Sequence, residues 1–244
     1  TMVLLGNSRL RHAVTFGFDP EVPVTLPDGR NLYAVQYADD VAMFETYEAL
    51  WPAVLAARPD YIVMQDTLLT TERLVDVMSL AGFSNIIYSQ LEKRALGHDP
   101  YEQWQKDRDD IIESCIRIED YNRAEMQDRL IFISYRDRHA LGGNNENTAK
   151  ARAAIRQAVD AGIKVILLHM PANAQMITRF DVPLHLVDFY GLGHTPGVGE
   201  LLPELQDRVN WYDYPAPLPE QFCDFVHFNE QGRQAFTDDL LRRL

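Results

Sequence analysis

The sequence predicts an α/β fold, a mainly parallel sheet covered by helices on both faces. Three observations carry this expectation. Uninterrupted apolar runs at 2–5, 61–64 and 165–168 read as strands buried on both sides. Between such runs the chain takes up helical periodicity, as over 39–57 and 148–161. Gly, Asn and Pro mark the changeovers, at Gly6-Asn7, Pro59 and Gly162. A parallel sheet of this kind binds its ligands outside the carboxyl ends of its strands.

Each element has its own reason. Residues 2–5 form the first strand, and Gly6-Asn7 break it. Residues 10–14 follow as a short helix, then 16–29 as a loop with Pro20, Pro23, Pro27 and Asp28-Gly29 as turn signals. Leu32-Tyr33-Ala34-Val35 read as the second strand. Over 39–57 the apolar residues Val41, Phe44, Leu50, Val54 and Leu55 recur at helical spacing. The third strand, 61–64, ends in Gln65-Asp66, and Thr70 or Thr71 caps a helix running to Leu80, with Gly82 just beyond. Residues 85–89 suggest another strand, and 101–128 one long charged helix or two shorter ones. The run 130–133 is a strand or a helix end, which period alone does not decide. Residues 141–147 read as a loop, 148–161 as a helix closed by Gly162, and 164–168 as a strand ending in His169-Met170-Pro171. Residues 183–219 read as irregular with a short helix near 198–205, and 229–244 as a final amphipathic helix. One domain over 1–244 is expected, with a largely helical excursion around 92–149.

Composition narrows the function. The 244 residues are 46% hydrophobic and 24% charged, as expected of a globular chain with a sizeable core. A net charge of −13 argues against nucleic acid as a partner, because a phosphate backbone needs a basic footprint. Cys115 and Cys223 have no metal spacing, and they allow one disulfide without requiring it. Asp181, His185 and His194 lack any standard ligand spacing, so no metal is expected. The glycines at 142–143 and 191–199 form no phosphate loop, so no nucleotide is implied. No stretch is long and apolar enough to span a membrane. The chain opens almost directly on a core strand, from which a preceding segment such as an anchor is expected.

Two short stretches carry chemistry. Gly6-Asn7-Ser8 ends the first strand in a tight turn with a hydroxyl at its tip. Such a turn can expose a nucleophile, although Ser8 alone could equally cap the next helix. Near the other end, Asp224 and His227 stand three apart just before the last helix, a spacing that puts both on one face of a turn. A carboxylate beside an imidazole fixes its tautomer and stabilises the imidazolium formed in acyl transfer. Taken alone, the pair reads as a cap and a surface histidine. Other rim residues carry weaker readings. Asp66 is a second carboxylate or, more simply, the cap of the next helix. His169 lines the pocket or is a loop histidine held by the backbone. Arg9 and Arg11 contact an anionic substrate or pair with surface acids.

Taken together, Gly6-Asn7-Ser8 and Asp224-Phe225-Val226-His227 resemble the SGNH hydrolase superfamily, also called GDSL-like. The resemblance covers the chain by order and spacing, and its two ends by residue. It implies a flavodoxin-like three-layer α/β/α fold, with Ser8 as nucleophile, His227 as general base and Asp224 as the orienting carboxylate. Gly6-Asn7-Ser8-Arg9 is similar to the variant start of anchored extracytoplasmic members that add or remove acyl groups on cell-surface polysaccharides. This implies an acylated, chiefly acetylated, carbohydrate or another small ester as substrate. It further implies a periplasmic or membrane-anchored location, polysaccharide-assembly proteins as partners, and no cofactor or metal.

The departures fall on the oxyanion side. The second strand runs into Gln36-Tyr37-Ala38 without the family's glycine, and the third into Met64-Gln65-Asp66 without its asparagine. The expected substitutes are the Ser8 amide, an amide near Tyr37 or Ala38, and the Gln65 side chain, with Asn7, Arg9, Asp66 and His169 completing the binding rim. The same departures keep a second reading open, a non-catalytic binding or scaffolding module.

Overall fold

The computed structural model describes residues 1–39, 42–73, 137–139, 146–173, 175, 197–215, 217–224 and 226–244. Cys115, Asp181, His185, His194 and the elements expected at 85–89, 101–128 and 130–133 lie outside the described residues, as does most of the loop at 141–147.

The first strand, β1 (Met2–Asn7), runs two residues past Leu5 and passes directly into α1 (Ser8–Arg11). A side chain on Gly6 would put its Cβ 2.5 Å from Leu10 Cβ, so this close docking of α1 on its own strand requires glycine. A small antiparallel ladder follows, β2 (Val24–Thr25) with β3 (Asn31–Leu32). The second sheet strand, β4 (Ala34–Asp39), lies later than the expected 32–35. Its polar Gln36 is buried, with its side-chain amide donating to Leu10 O at 3.1 Å, so a residue that suggests a loop is a strand residue with a partner. The helix expected over 39–57 therefore begins later and in pieces. These are α2 (Phe44–Tyr47), a 3₁₀ turn at Glu48–Leu50 and α3 (Trp51–Ala57).

β5 (Tyr61–Gln65) leads to α4 (Thr67–Thr70), and Thr71 is already extended in β6 (Thr71–Arg73), which pairs antiparallel with β7 (Asp137–His139). Residues 71–73 are thus strand where the helix capped by Thr70 or Thr71 is expected to begin, and the rest of that helix, 74–80, lies outside the described residues. Asn147 and Thr148 at the start of α5 (Glu146–Asp160) donate to Leu68 O and Leu69 O at 2.8 and 2.7 Å, tying this helix to α4. β8 (Lys164–His169) is followed by α6 (Val198–Leu201), a 3₁₀ turn at Pro203–Leu205, then β9 (Val209–Asp213) and α7 (Glu230–Arg242). β9 lies within the stretch read as irregular.

The five sheet strands stand in the order β4-β1-β5-β8-β9, and every pairing is parallel. Numbered along the chain this is the doubly wound order 2-1-3-4-5. Side chains alternate across the sheet. Val3, Leu5, Ile62, Met64, Val165 and Leu167 face a core built with α2, α3 and α5. Met2, Leu4, Val63, Ile166 and Leu168 face Leu10 of α1 and Phe236 and Leu240 of α7. Burying one such side chain completely is worth roughly 1.5–3 kcal/mol. The result is an α/β/α sandwich whose strand ends, from Asn7 to Asp213, share one edge.

Candidate active site

Ser8 is not the helix cap. Asn7 takes that role, its side-chain oxygen accepting the Arg9 N–H at 3.0 Å, while its amide donates to Thr67 Oγ1 at 3.1 Å. The Ser8 hydroxyl is thus left to other partners at the first turn of α1.

The opposing loop is built by its own backbone. Phe222 and Phe228 form an antiparallel bridge, and Cys223 N–H donates to His227 O at 2.7 Å. Asn229 then caps α7 through the Gly232 N–H at 3.0 Å. Phe222 and Phe228 pack at 4.9 Å between ring centroids, and Phe228 continues into Phe236 and Tyr214, so the loop is rooted in the α7-side core. Inside it, Asp224 uses its two oxygens differently. Oδ1 accepts the Val226 and His227 N–H groups at 2.9 and 2.8 Å, and Oδ2 lies 2.8 Å from His227 Nδ1.

His227 Nε2 lies 3.0 Å from Ser8 Oγ. A carboxylate can only accept, so His227 Nδ1 carries the proton and donates it to Asp224. Nε2 is then the bare nitrogen that accepts from the Ser8 hydroxyl. Burial alone would raise the Asp224 carboxyl, but attraction to the His227 ring and the bonds from His227 and Val226 hold it down at about 2. It is therefore ionised at any working pH. Side chains 219 positions apart in sequence are brought together because α1 and α7 cover the same face of the sheet.

The remaining rim residues are distributed as follows. Gln65 is fully buried, and its side-chain oxygen accepts the Asn7 N–H at 3.1 Å. Its amide nitrogen, the group expected to face substrate, is enclosed without a hydrogen bond. Tyr37 pairs with Leu5 inside β4 and packs against the core on the α5 side. Arg9 is buried and spans to Met170 O and, at 2.8 Å, Pro171 O, so it does not sit on the surface. Arg11 is likewise buried. Asp66 does not cap α4 with its side chain, because Oδ2 meets His169 Nδ1 at 2.6 Å and the pair is enclosed together. The His169 ring stacks on Trp211 at 5.9 Å. This second carboxylate–imidazole pair has no local sequence signature, since it depends on β5 and β8 being neighbours. His12 is the other feature without a motif. It is 1% exposed, and its ring stands edge-on to His227 at 4.9 Å. Its only sequence sign is its place four residues after Ser8, on the same side of the turn. Among the described residues no group of three or more His, Cys, Asp or Glu could hold a metal.

No protein-family model matches the chain. No curated protein matches it either. Among solved structures the chain is similar to LAE5, described as an α/β hydrolase enzyme from the metagenome of Lake Arreo, Spain. The identity is 13% and the TM-score 0.38, over 98% of this chain and 92% of that one.

Proposed function

We propose that the protein is a serine-dependent ester hydrolase or O-acyltransferase of the SGNH type. One observation carries the reading, the continuous chain from Ser8 Oγ through His227 to Asp224, with contacts of 3.0 and 2.8 Å. In the proposed reaction Ser8 Oγ attacks an ester carbonyl carbon as its proton passes to His227 Nε2. Asp224 stabilises the imidazolium, and the Ser8 backbone amide donates to the oxyanion. The bond to the leaving alcohol breaks, and that alcohol takes the proton from Nε2. Water or a sugar hydroxyl then attacks the acyl-serine, its proton returning through Nε2 to Ser8 Oγ as the serine ester breaks.

An acylated, chiefly acetylated, carbohydrate is the proposed substrate, by resemblance to the SGNH members that modify cell-surface polysaccharides. An extracytoplasmic site of action, with polysaccharide-assembly partners, goes with it. Cys223 is disulfide-bonded, which fits an oxidising compartment. A second reading, a non-catalytic binding module, is favoured by Gln65, whose enclosed amide leaves the oxyanion side with one expected donor fewer.

A fluorophosphonate probe separates the two. The expected result is one adduct on Ser8, absent from Ser8→Ala, with hydrolysis of p-nitrophenyl acetate falling by roughly a thousandfold or more in that variant. A folded wild type that takes no label overturns the esterase reading and leaves the binding module. Acetate release from an O-acetylated polysaccharide, set against an acetylated peptide, tests the substrate class.

A further inference from the structure

The triad chemistry does not use His12, yet no side chain is placed more suggestively. His12 closes α1, donating its N–H to Ser8 O at 3.0 Å. It therefore stands one turn below the proposed nucleophile, on the same helix face. Its ring meets His227 at 4.9 Å between centroids with the planes at 74°. The imidazole is enclosed, and its Nδ1 has no hydrogen-bond partner. A buried ring nitrogen without a partner costs stability that a hydrocarbon ring of similar shape would not. Its own hydrogen bonding does not explain this position, whereas its contact with His227 does.

The geometry of His227 shows what is missing without that contact. Asp224 holds Nδ1 and Ser8 holds Nε2. Two bonds at opposite edges of a flat ring fix an axis, but the ring can still tilt about it. Tilting swings the Nε2 lone pair away from the Ser8 hydroxyl, and proton transfer depends steeply on that alignment. A third contact outside the ring plane removes this freedom. His12 supplies it from the same short helix that carries Ser8, so nucleophile and brace share one rigid element.

We propose that His12 is a positioning residue for the reaction, a neutral ring that braces His227 against tilting between Ser8 and Asp224. The inference rests on the esterase reading above. The His12 ring contacts His227, and the charged groups that act on it are His227, Arg11, Asp224 and Arg233. Burial first, then His227 and Arg11, keep the His12 imidazole neutral, so the brace adds no second cation when His227 becomes imidazolium.

The test uses the whole chain with p-nitrophenyl acetate, and the fluorophosphonate as an independent reporter of Ser8. His12→Ala is expected to lower kcat by on the order of tenfold to a hundredfold while KM stays within about twofold. His12→Phe restores a flat ring and is expected to return kcat to within about fivefold of wild type. Circular dichroism and urea midpoints establish that both variants are folded at the assay temperature. A wild-type kcat in His12→Ala overturns the inference, and so does a folded His12→Phe as slow as His12→Ala. Should His12→Ala fail to fold, His12→Leu replaces it, filling the space without a flat ring. A wild-type kcat in that variant likewise overturns the brace. Ser8→Ala is the control for the underlying reading. If it takes label or turns over substrate like wild type, the esterase reading fails and the brace falls with it. If Ser8→Ala is inert but His12→Ala is not impaired, only the brace fails.

Discussion

At the scale of single residues, the division of labour within Asp224 decides the chemistry proposed for the site. One oxygen closes the loop through two backbone N–H groups, and the other faces His227 Nδ1. Asp224→Asn separates these tasks. An amide oxygen can still accept the backbone bonds, but an NH₂ opposite Nδ1 forces the proton onto Nε2. The nitrogen facing Ser8 then has no lone pair to receive the hydroxyl proton. kcat for p-nitrophenyl acetate is expected to fall by roughly a thousandfold to ten-thousandfold, with the thermal unfolding midpoint little changed. Rapid label uptake at Ser8 in Asp224→Asn would argue against this tautomer assignment. Ser8, Asp224 and His227 are legible in the sequence because each depends on a local turn, a strand end in one case and a pre-helix loop in the other. Asp66 is not legible in the same way. Its pattern is that of a helix cap, yet its carboxylate turns to His169, 103 positions away, across neighbouring strands. Local pattern carries no information about which strands lie side by side.

At the scale of elements, what sequence shows best is a strand buried on both faces. β1, β5 and β8 lie in the interior of the sheet and read as apolar runs, whereas β4 and β9 are its edges. β9 exposes Asn210 and Asp213 and has a pairing partner on one side, so its pattern resembles a loop. β4 hides in a polar stretch because Gln36 buries its amide against Leu10 O. The α7 start shows how an element sets the site. Gly232 lies in the first turn of the helix, and a Cβ there would stand 2.2 Å from Gln221 O and 2.9 Å from Phe228 Cδ1. Gln221 and Phe228 flank the segment that holds Asp224 and His227. Gly232→Ala must therefore push the helix and this loop apart, although alanine is the better helix former. A loss of about 1–3 kcal/mol in urea unfolding is expected, together with slower fluorophosphonate labelling of Ser8 in the folded variant. An ordinary gain in helix stability with unchanged labelling would show that the loop tolerates the displacement.

At the scale of the whole molecule, the alternation of strands and helices is enough to predict the layered sheet, and the parallel pairing of its strands places their carboxyl ends on one side. That assembly buries a titratable ring, and the burial is readable as acid sensitivity. His12 ordinarily titrates near 6.5, but burial, His227 and Arg11 lower it to about 2 in the folded chain. Between these values the unfolded chain binds a proton on His12 and the folded chain does not, so stability falls as pH falls across this window. The slope is about 1.4 kcal/mol per pH unit for one such group. Asp224 adds a second loss, since its folded value of about 2 lies below the ordinary 3.8; its contribution disappears as pH falls from about 4 towards 2. The net charge of −13 works the other way, because acid relieves self-repulsion before the isoelectric point near 4.9. Comparing His12→Phe with wild type cancels that shared background and leaves the His12 contribution. Urea unfolding at pH 7, 6, 5 and 4.5 is therefore expected to show the variant gaining on wild type by about 1.4 kcal/mol per unit below pH 6.5, and not above it. A difference that stays flat across this range would mean that the folded protein protonates His12 as readily as the unfolded chain does, and that the ring beside His227 is not sealed from solvent.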